Sequence, residues 1–343
     1  MRTCTWAPTT FQGTQVVTPA GESPGAAAIQ DVAAFTGSLV ARYEALGLTD
    51  LLIAQRWWGS GSDIEGSSLD CLAMTAFFAA HTQKLRLITA IHPGFFQPAA
   101  TAKWGATIDQ LTGGRWAINV TSGWNLDEFH MYGVDPLTHD ERYARSSEFI
   151  TLLRRAWAEP RVDHSGRFYT VEGLQMQPRP GAPLEVFQGG QSPAAIHMAA
   201  THSDWMFLNG GSEARVGSVI DAAREACRST GRSLRFAMYA APLCRATDEQ
   251  AWAEIDARLA RVDAGLVKKR HERLRKGAQG MWNEDDPLSV LDTNEGYAAR
   301  LIGSPDTVLR RIEVYRALGV DMLHLDIRDK LFQSEVLPFL QGL

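Results

Sequence analysis

The sequence predicts an α/β fold, a (β/α)8 TIM barrel with insertions, and three observations carry that expectation. Eight short β-rich runs alternate with longer helical patterns along the 343 residues. Most of these runs are nearly continuous in apolar residues, as Leu85-Arg-Leu-Ile-Thr-Ala-Ile91 is, which suits strands covered on both faces of a parallel sheet. Nothing marks a break into two halves, so a single barrel domain over 1–343 is expected rather than an open sheet.

The expected strands lie at 3–7, 50–54, 85–91, 115–120, 184–188, 205–208, 234–241 and 320–326. Between them, helices are expected near 30–46, 70–81, 192–202, 212–230, 248–264, 305–318 and 331–341. The helix that starts at Pro98 repeats Ala100, Trp104, Thr107 and Leu111 at spacings of 4, 3 and 4, predicting one buried stripe, and Gly113-Gly114 stops it. A second long helix from Asp140 repeats Tyr143, Ile150, Leu153 and Trp157 before Pro160. Two connections exceed ordinary loop length. The stretch 161–183 holds Arg167-Phe-Tyr-Thr-Val171 and three prolines, and reads as a surface hairpin with a Pro-rich return. The stretch 264–294 carries six Lys or Arg among the nine residues 268–276. It reads as a candidate mobile lid or as a solvated charged helix.

Composition narrows the partners. With 34 basic against 39 acidic side chains and 45% hydrophobic residues, the chain can bury a large core, and its net charge of −5 argues against nucleic acid or an acidic membrane surface as the main partner. The four cysteines (Cys4, Cys71, Cys227, Cys244) form no CxxC pair and read as reduced thiols. No apolar run is long enough for a membrane span, and residues 1–19 lack a signal-peptide pattern, so a cytoplasmic location is expected. There is no HExxH, no P-loop and no GxSxG, hence no support for a metal site or a serine hydrolase.

Barrel enzymes build their sites at the C-terminal ends of the strands. Asn119, Thr121, Ser122, Gly123 and Trp124 follow the fourth expected strand. Gly189-Gly-Gln-Ser-Pro193 follows the fifth and opens a helix. Glycines admit a ligand close to the backbone, and Ser192 with free helix-start amides suits an anion such as phosphate. The same run also reads as a plain N-cap with Pro at N1. Arg142 and Tyr143 offer a guanidinium and a phenol to the same anion, or an ordinary helix surface and a core aromatic.

Taken in order, the run Leu85 to Pro98 with its His-Pro-Gly, then Thr107-Ile-Asp-Gln-Leu-Thr-Gly-Gly-Arg115, Asn119-Val-Thr-Ser-Gly123, Thr138-His-Asp-Glu-Arg-Tyr143, Gly189-Gly-Gln-Ser192 and Gly303-Ser-Pro-Asp-Thr-Val-Leu-Arg-Arg-Ile312 resemble the bacterial-luciferase-like flavin-dependent monooxygenases, and within them the alkanesulfonate monooxygenases. The likeness runs from about residue 30 to the end. It implies a homodimer or homotetramer that binds FMN as FMNH2, supplied by a separate NAD(P)H:FMN reductase, and uses O2 as co-substrate with no metal. It places Ile53, Ala54, Asn119, Glu128, Arg142, Tyr143, Gly190 and Ser192 at the cofactor. It implies oxidation, through a flavin (hydro)peroxide, of an organosulfur compound such as an alkanesulfonate to an aldehyde plus sulfite.

The chain departs from that subgroup on the substrate side. Tyr239 and Ala241 stand where an Arg-x-His pair is expected, Arg328 stands for a Tyr, Ser67 lies near a replaced loop cysteine, and His92 stands for an Arg before Pro-Gly. His92 is the expected proton shuttle, or a loop histidine bonded ahead of Pro93, with Tyr239 and Arg328 as orienters or donors. Trp6, Trp57, Trp58 and Trp124 suggest an aromatic substrate wall, or scattered core tryptophans. The alternatives are a sister oxygenase acting on a sulfone, amine, heterocycle or alkane, an F420-dependent oxidoreductase, and a non-catalytic flavin-binding protein.

Overall fold

The computed structural model describes residues 1–11, 31–57, 67–279 and 286–342. Its centre is a closed barrel of eight parallel strands. They are β1 (Arg2–Trp6), β2 (Asp50–Ile53), β3 (Arg86–Ile91), β4 (Trp116–Val120), β5 (Val186–Gly189), β6 (Trp205–Leu208), β7 (Arg235–Ala240) and β8 (Val320–Leu325). Each pairs with its sequence neighbours, and β1 closes the barrel on β8 through Arg2–Met322, Thr3–Leu323, Cys4–His324 and Thr5–Leu325. All eight expected runs become barrel strands.

The apolar runs are continuous because both faces are covered, and the two-residue period still sorts them. Leu51 and Ile53, Leu87 and Ile91, Trp116 and Ile118 join the layer beneath the helices. Leu52, Ile88, Ala90, Ala117, Ala237 and Met322 fill the barrel with Phe187, Trp205 and Phe207. This parity decides the site, because each inward series ends at the mouth on a different residue.

Helices α1 (Val32–Ala45), α2 (Cys71–His81), α3 (Pro98–Thr112), α4 (Leu126–Met131) and α5 (His139–Ala158) belong to the first half of the chain. In the second half come α6 (Pro193–His202), α7 (Glu213–Thr230), α8 (Asp248–Leu259), α9 (Ala264–Gly277), α10 (Pro305–Leu318), α11 (Lys330–Glu335) and α12 (Leu337–Leu340). Capping sets several starts. Thr138 and Glu141 form a reciprocal capping box on α5, and Ser192, Ser212 and Ser304 cap α6, α7 and α10.

The expected stripe of α3 is corrected. Leu111 is 73% exposed and Ala100 and Thr107 are exposed, while Thr101, Ala102, Gly105, Ala106, Ile108 and Thr112 are buried. The cause is Trp116: a side chain on Gly105 would collide with its ring, so the small-residue face of α3 turns to the barrel. Trp104 stays half-buried, edge-on to Trp116 at 5.5 Å.

The stretch 161–183 forms an antiparallel hairpin of Val162–Ser165 with Thr170–Leu174, as expected. The described part of 264–294 is α9 followed by a 3-10 turn, Pro287–Leu291. Residues 280–285 of that stretch, and Trp58, lie outside the described residues. Ser67 pairs with Phe11 in a small two-stranded sheet. Among the described residues, no helix is long and apolar enough to cross a membrane, and no group of three His, Cys, Asp or Glu is placed to hold a metal.

Candidate active site

A cavity of about 1430 Å³ opens at the C-terminal end of the barrel. That exceeds the roughly 300–1,000 Å³ of a site for one small ligand. Its wall includes His92, Tyr239, Arg328, Ala54, Asn119, Arg142, Tyr143, Gly190, Trp6 and Trp124. Residues spread over 323 positions of sequence thus meet in one space.

One side of the cavity, on β2 to β5, is polar. Asn119 ends the inward series of β4, is 5% exposed, and its Oδ1 has no partner among the described residues. Thr121 Oγ1 is likewise unbonded. Arg142, at the start of α5, donates from Nη1 to Leu137 O (3.1 Å) and from Nη2 to Gly277 O (2.7 Å), and keeps a buried, unpartnered Nε. Tyr143 stands beside Gly190, whose φ of +119° and 2.8 Å approach of any added Cβ to the Tyr143 hydroxyl leave room for glycine alone. His139 lines the same wall, with its ring 5.0 Å from that of Tyr143. Buried polar atoms without partners are rare in folded proteins, and those that face a cavity are open to bonding by water or by a ligand.

Four expected residues lie off the wall. Ile53 has the wrong parity: it faces the helix layer, and Leu52 and Ala54 face the cavity. Ser192 serves as the α6 N-cap, accepting from Ala195 N at 3.2 Å, and bonds the Tyr143 hydroxyl, so it positions Tyr143 rather than lining the space. Trp57 packs on Phe95, Phe96 and Tyr132 at 5.2–5.5 Å, in an aromatic cluster behind the wall. Glu128 is fully buried behind His92. Its Oε1 accepts from Trp57 N at 2.9 Å, and its Oε2 lies 3.4 Å from His92 Nδ1 without hydrogen-bond alignment.

His92 itself is 6% exposed and lines the cavity. Its backbone N–H donates to Gln55 Oε1 at 2.7 Å, and Gln55 Nε2 is left without a partner. A histidine backed by a buried carboxylate is a common arrangement for orienting an imidazole.

The opposite side, on β1, β6, β7 and β8, is aromatic. Trp6, Phe207, Tyr239 and His324 end their strands' inward series there. Burial raises the Tyr239 phenol well above its ordinary range. Outside this group, Arg328 is bound to Asp326, with Nε 2.8 Å from Oδ1, and the carboxylate raises the guanidinium's pKa further. Arg270 of α9 donates to the carbonyls of Val290 and Asp292. The Asp292 carboxyl is pushed up to about 6 by burial, against backbone bonds from Asn294, Gly296 and Tyr297.

The C-terminal end of α9 rests on the cavity. A Cβ on Gly277 would collide with the Trp124 carbonyl oxygen, so only glycine permits this approach. Ala278, Gln279 and 291–294 form part of the wall. Sequence reasoning missed His324, Gln55, His139 and Arg270. Strand parity turns His324 inward, but strands buried on both faces do not show that parity in sequence; Gln55 and His139 sit on a loop and a helix start, and Arg270 lies mid-helix in α9.

The family model of the luciferase-like monooxygenases matches residues 6–322. The chain is 36% identical over 296 residues to an FMNH2-dependent dimethylsulfone monooxygenase of Pseudomonas fluorescens (strain Pf0-1), covering 83% of this chain and 80% of that protein. It is 29% identical over 291 residues to a pyrimidine monooxygenase of Klebsiella pneumoniae, covering 82% and 79%. The crystal structure of a riboflavin lyase with modified FMN and riboflavin superposes with a TM-score of 0.80 at 18% identity, over 99% of this chain and 91% of that one, a likeness of fold alone. Neither relative is named for an alkanesulfonate. With the barrel, the mouth-end cavity and a family match over most of its length, the chain belongs to the luciferase-like monooxygenases.

Proposed function

We propose that this protein is a two-component monooxygenase that takes reduced FMN from a separate reductase and oxidises a small organosulfur compound with O2. The observation that carries the reading is the set of buried, unbonded polar atoms on one wall, Asn119 Oδ1, Arg142 Nε and Thr121 Oγ1, in a cavity large enough for a flavin and a second molecule. Reduced FMN fits these donors and acceptors. Arg142, Tyr143 and His139, with the glycine at 190, would hold its phosphate side, and Asn119 and Ala54 its ring side. The FMNH2-dependent relative at 36% identity favours FMN over F420. Its sulfone substrate favours the sulfone alternative over a sulfonate.

Bound reduced flavin supplies the electrons that activate O2. The chain's own task is to orient both ligands, hold a proton and exclude water. His92, set by Glu128 and Gln55, faces the cavity and is the group we assign to hold or move that proton at its imidazole. Glu128 acts through His92 and is a positioning residue. Tyr239 orients the substrate side, and Arg328 acts there only through its pair with Asp326. Closure of the 264–294 segment over both ligands is part of the proposal, and the Arg142–Gly277 bond ties it to the flavin wall.

The test is turnover with FMNH2, dimethyl sulfone and O2. One oxygen atom entering a methyl group and one leaving as water gives formaldehyde and methanesulfinate, with the flavin oxidised. Stoichiometric formaldehyde with little hydrogen peroxide is the expected result. Flavin titrations that show no binding of FMNH2, or oxygen uptake that yields peroxide alone with sulfones, sulfonates and heterocycles, would refute the assignment.

A further inference from the structure

We propose that Trp6, Phe207, Tyr239 and His324 form an uncharged chamber that admits a compact neutral sulfonyl group and rejects the corresponding anion, with His324 as the residue that decides. The inference rests on the monooxygenase reading for the reaction, but its geometry stands apart from the flavin wall. The strand order β1-β8-β7-β6-β5-β4-β3-β2 puts these four residues on adjacent strands, across the barrel from Asn119 on β4.

His324 is 2% exposed and sits between three aromatic rings. Trp6 lies 4.4 Å away between centroids, Tyr239 5.2 Å and Phe207 5.6 Å. Its ring lines the cavity, and Nε2 is buried with no hydrogen-bond partner among the described residues. Burial holds the imidazole neutral, pushing its pKa down to about 3 against a small opposing effect of Asp326. A neutral imidazole offers one N–H donor and one acceptor. Among the described residues Nε2 makes no bond, so this ring nitrogen is left for a ligand.

The charges around the chamber explain why an anion is excluded. Arg328 is committed to Asp326, and Arg270 is turned to backbone carbonyls and the Asp292 carboxylate region. A sulfonate would bring a full negative charge against aromatic faces, whose π clouds are themselves negative, and none of the four chamber residues carries a charge to meet it, while Arg245 and Arg258 on the wider wall are paired with Glu254. A sulfone presents two strong acceptor oxygens and apolar alkyl groups. The oxygens suit the His324 and Tyr239 donors, and the alkyl groups suit Trp6 and Phe207.

The test uses the full chain, loaded with FMN, reduced and held anaerobic, and titrated separately with dimethyl sulfone and methanesulfonate. Ligand-detected NMR with the same two probes on flavin-free protein gives a second reading. The parent is expected to bind the sulfone at least tenfold more tightly than the sulfonate. His324→Leu should weaken the sulfone about tenfold, while reduced-FMN affinity and the unfolding midpoint stay close to the parent's. His324→Gln, which keeps a neutral donor and acceptor, should restore sulfone binding to within about threefold. Equal binding of the two probes by the parent, or a leucine variant that binds the sulfone as the parent does, overturns the proposal. A leucine variant that unfolds hands the decision to the glutamine variant: sulfone binding lost there, in a folded protein with intact flavin binding, also overturns it. Failure of the monooxygenase reading is separately visible, as loss of flavin binding in the parent.

Discussion

At the N-terminal end of the barrel, Arg2 donates to Asp50 and to Glu185, and Glu185 also takes Arg86, Arg235 and the Trp205 indole, so the charges there are bonded to one another. At the C-terminal mouth, Asn119, Gln55, Arg142 and His324 keep buried polar atoms that no described residue satisfies. The same strands supply both ends. Satisfied networks add stability and rigidity, whereas unsatisfied groups cost stability unless a ligand completes them. The contrast assigns stability to the charge network at the base and leaves the mouth open to the binding proposed above.

The base should break first. Glu185→Ala strands three arginines and is expected to lower unfolding free energy by about 2–4 kcal/mol, read by urea denaturation, with FMNH2 affinity unchanged. These cations and the Trp205 bond offset the burial cost and leave the Glu185 carboxyl below its ordinary range. Its stabilising share is therefore present above the unfolded carboxylate pKa and lost as pH falls through the folded one, so the variant should lose less stability on acidification than the parent.

Asn119→Ala should do the reverse: reduced-FMN binding weakened by about 1–3 kcal/mol, measured anaerobically, with little change in unfolding midpoint. A large loss of stability with unchanged flavin affinity would erase the distinction between the two ends.

His324 sharpens the contrast through pH. Its folded pKa of about 3 lies below that of the unfolded chain, near 6.5, so the unfolded state takes up a proton first. This group costs nothing above that pH, and between about pH 6 and 4 it should erode stability by about 1.4 kcal/mol per unit. The parent's pH slope should exceed that of His324→Gln by that amount; identical slopes would mean that the imidazole is not held neutral. The smallest effect is expected from Gly277→Ala, which pushes α9 off the Trp124 carbonyl. Peroxide release should rise roughly two- to fivefold with flavin affinity within a few fold. Coupling equal to the parent's would remove the lid assignment.

The order of strands and helices was legible in the residues themselves, because local period, capping residues and Pro or Gly stops act within one turn or one strand. That Asn119, Arg142, Tyr143 and Gly190 meet at the barrel mouth was legible too, from helix-start and strand-end chemistry joined to family likeness. Parity was not, since strands buried on both faces show no alternation. Ile53 was therefore set at the cavity when Leu52 and Ala54 are there, and His324 was passed over. The α3 stripe failed for a similar reason: hydrophobicity pointed to Leu111, but the space left beside Trp116 admits only the Gly105 face. Whether Ser192 faces a ligand or caps α6 and holds Tyr143, and whether Glu128 borders the cavity or stands behind His92, depends on contacts between residues far apart in sequence. Those contacts exist only once the barrel closes, and closure is what turns eight separate strand ends into one site.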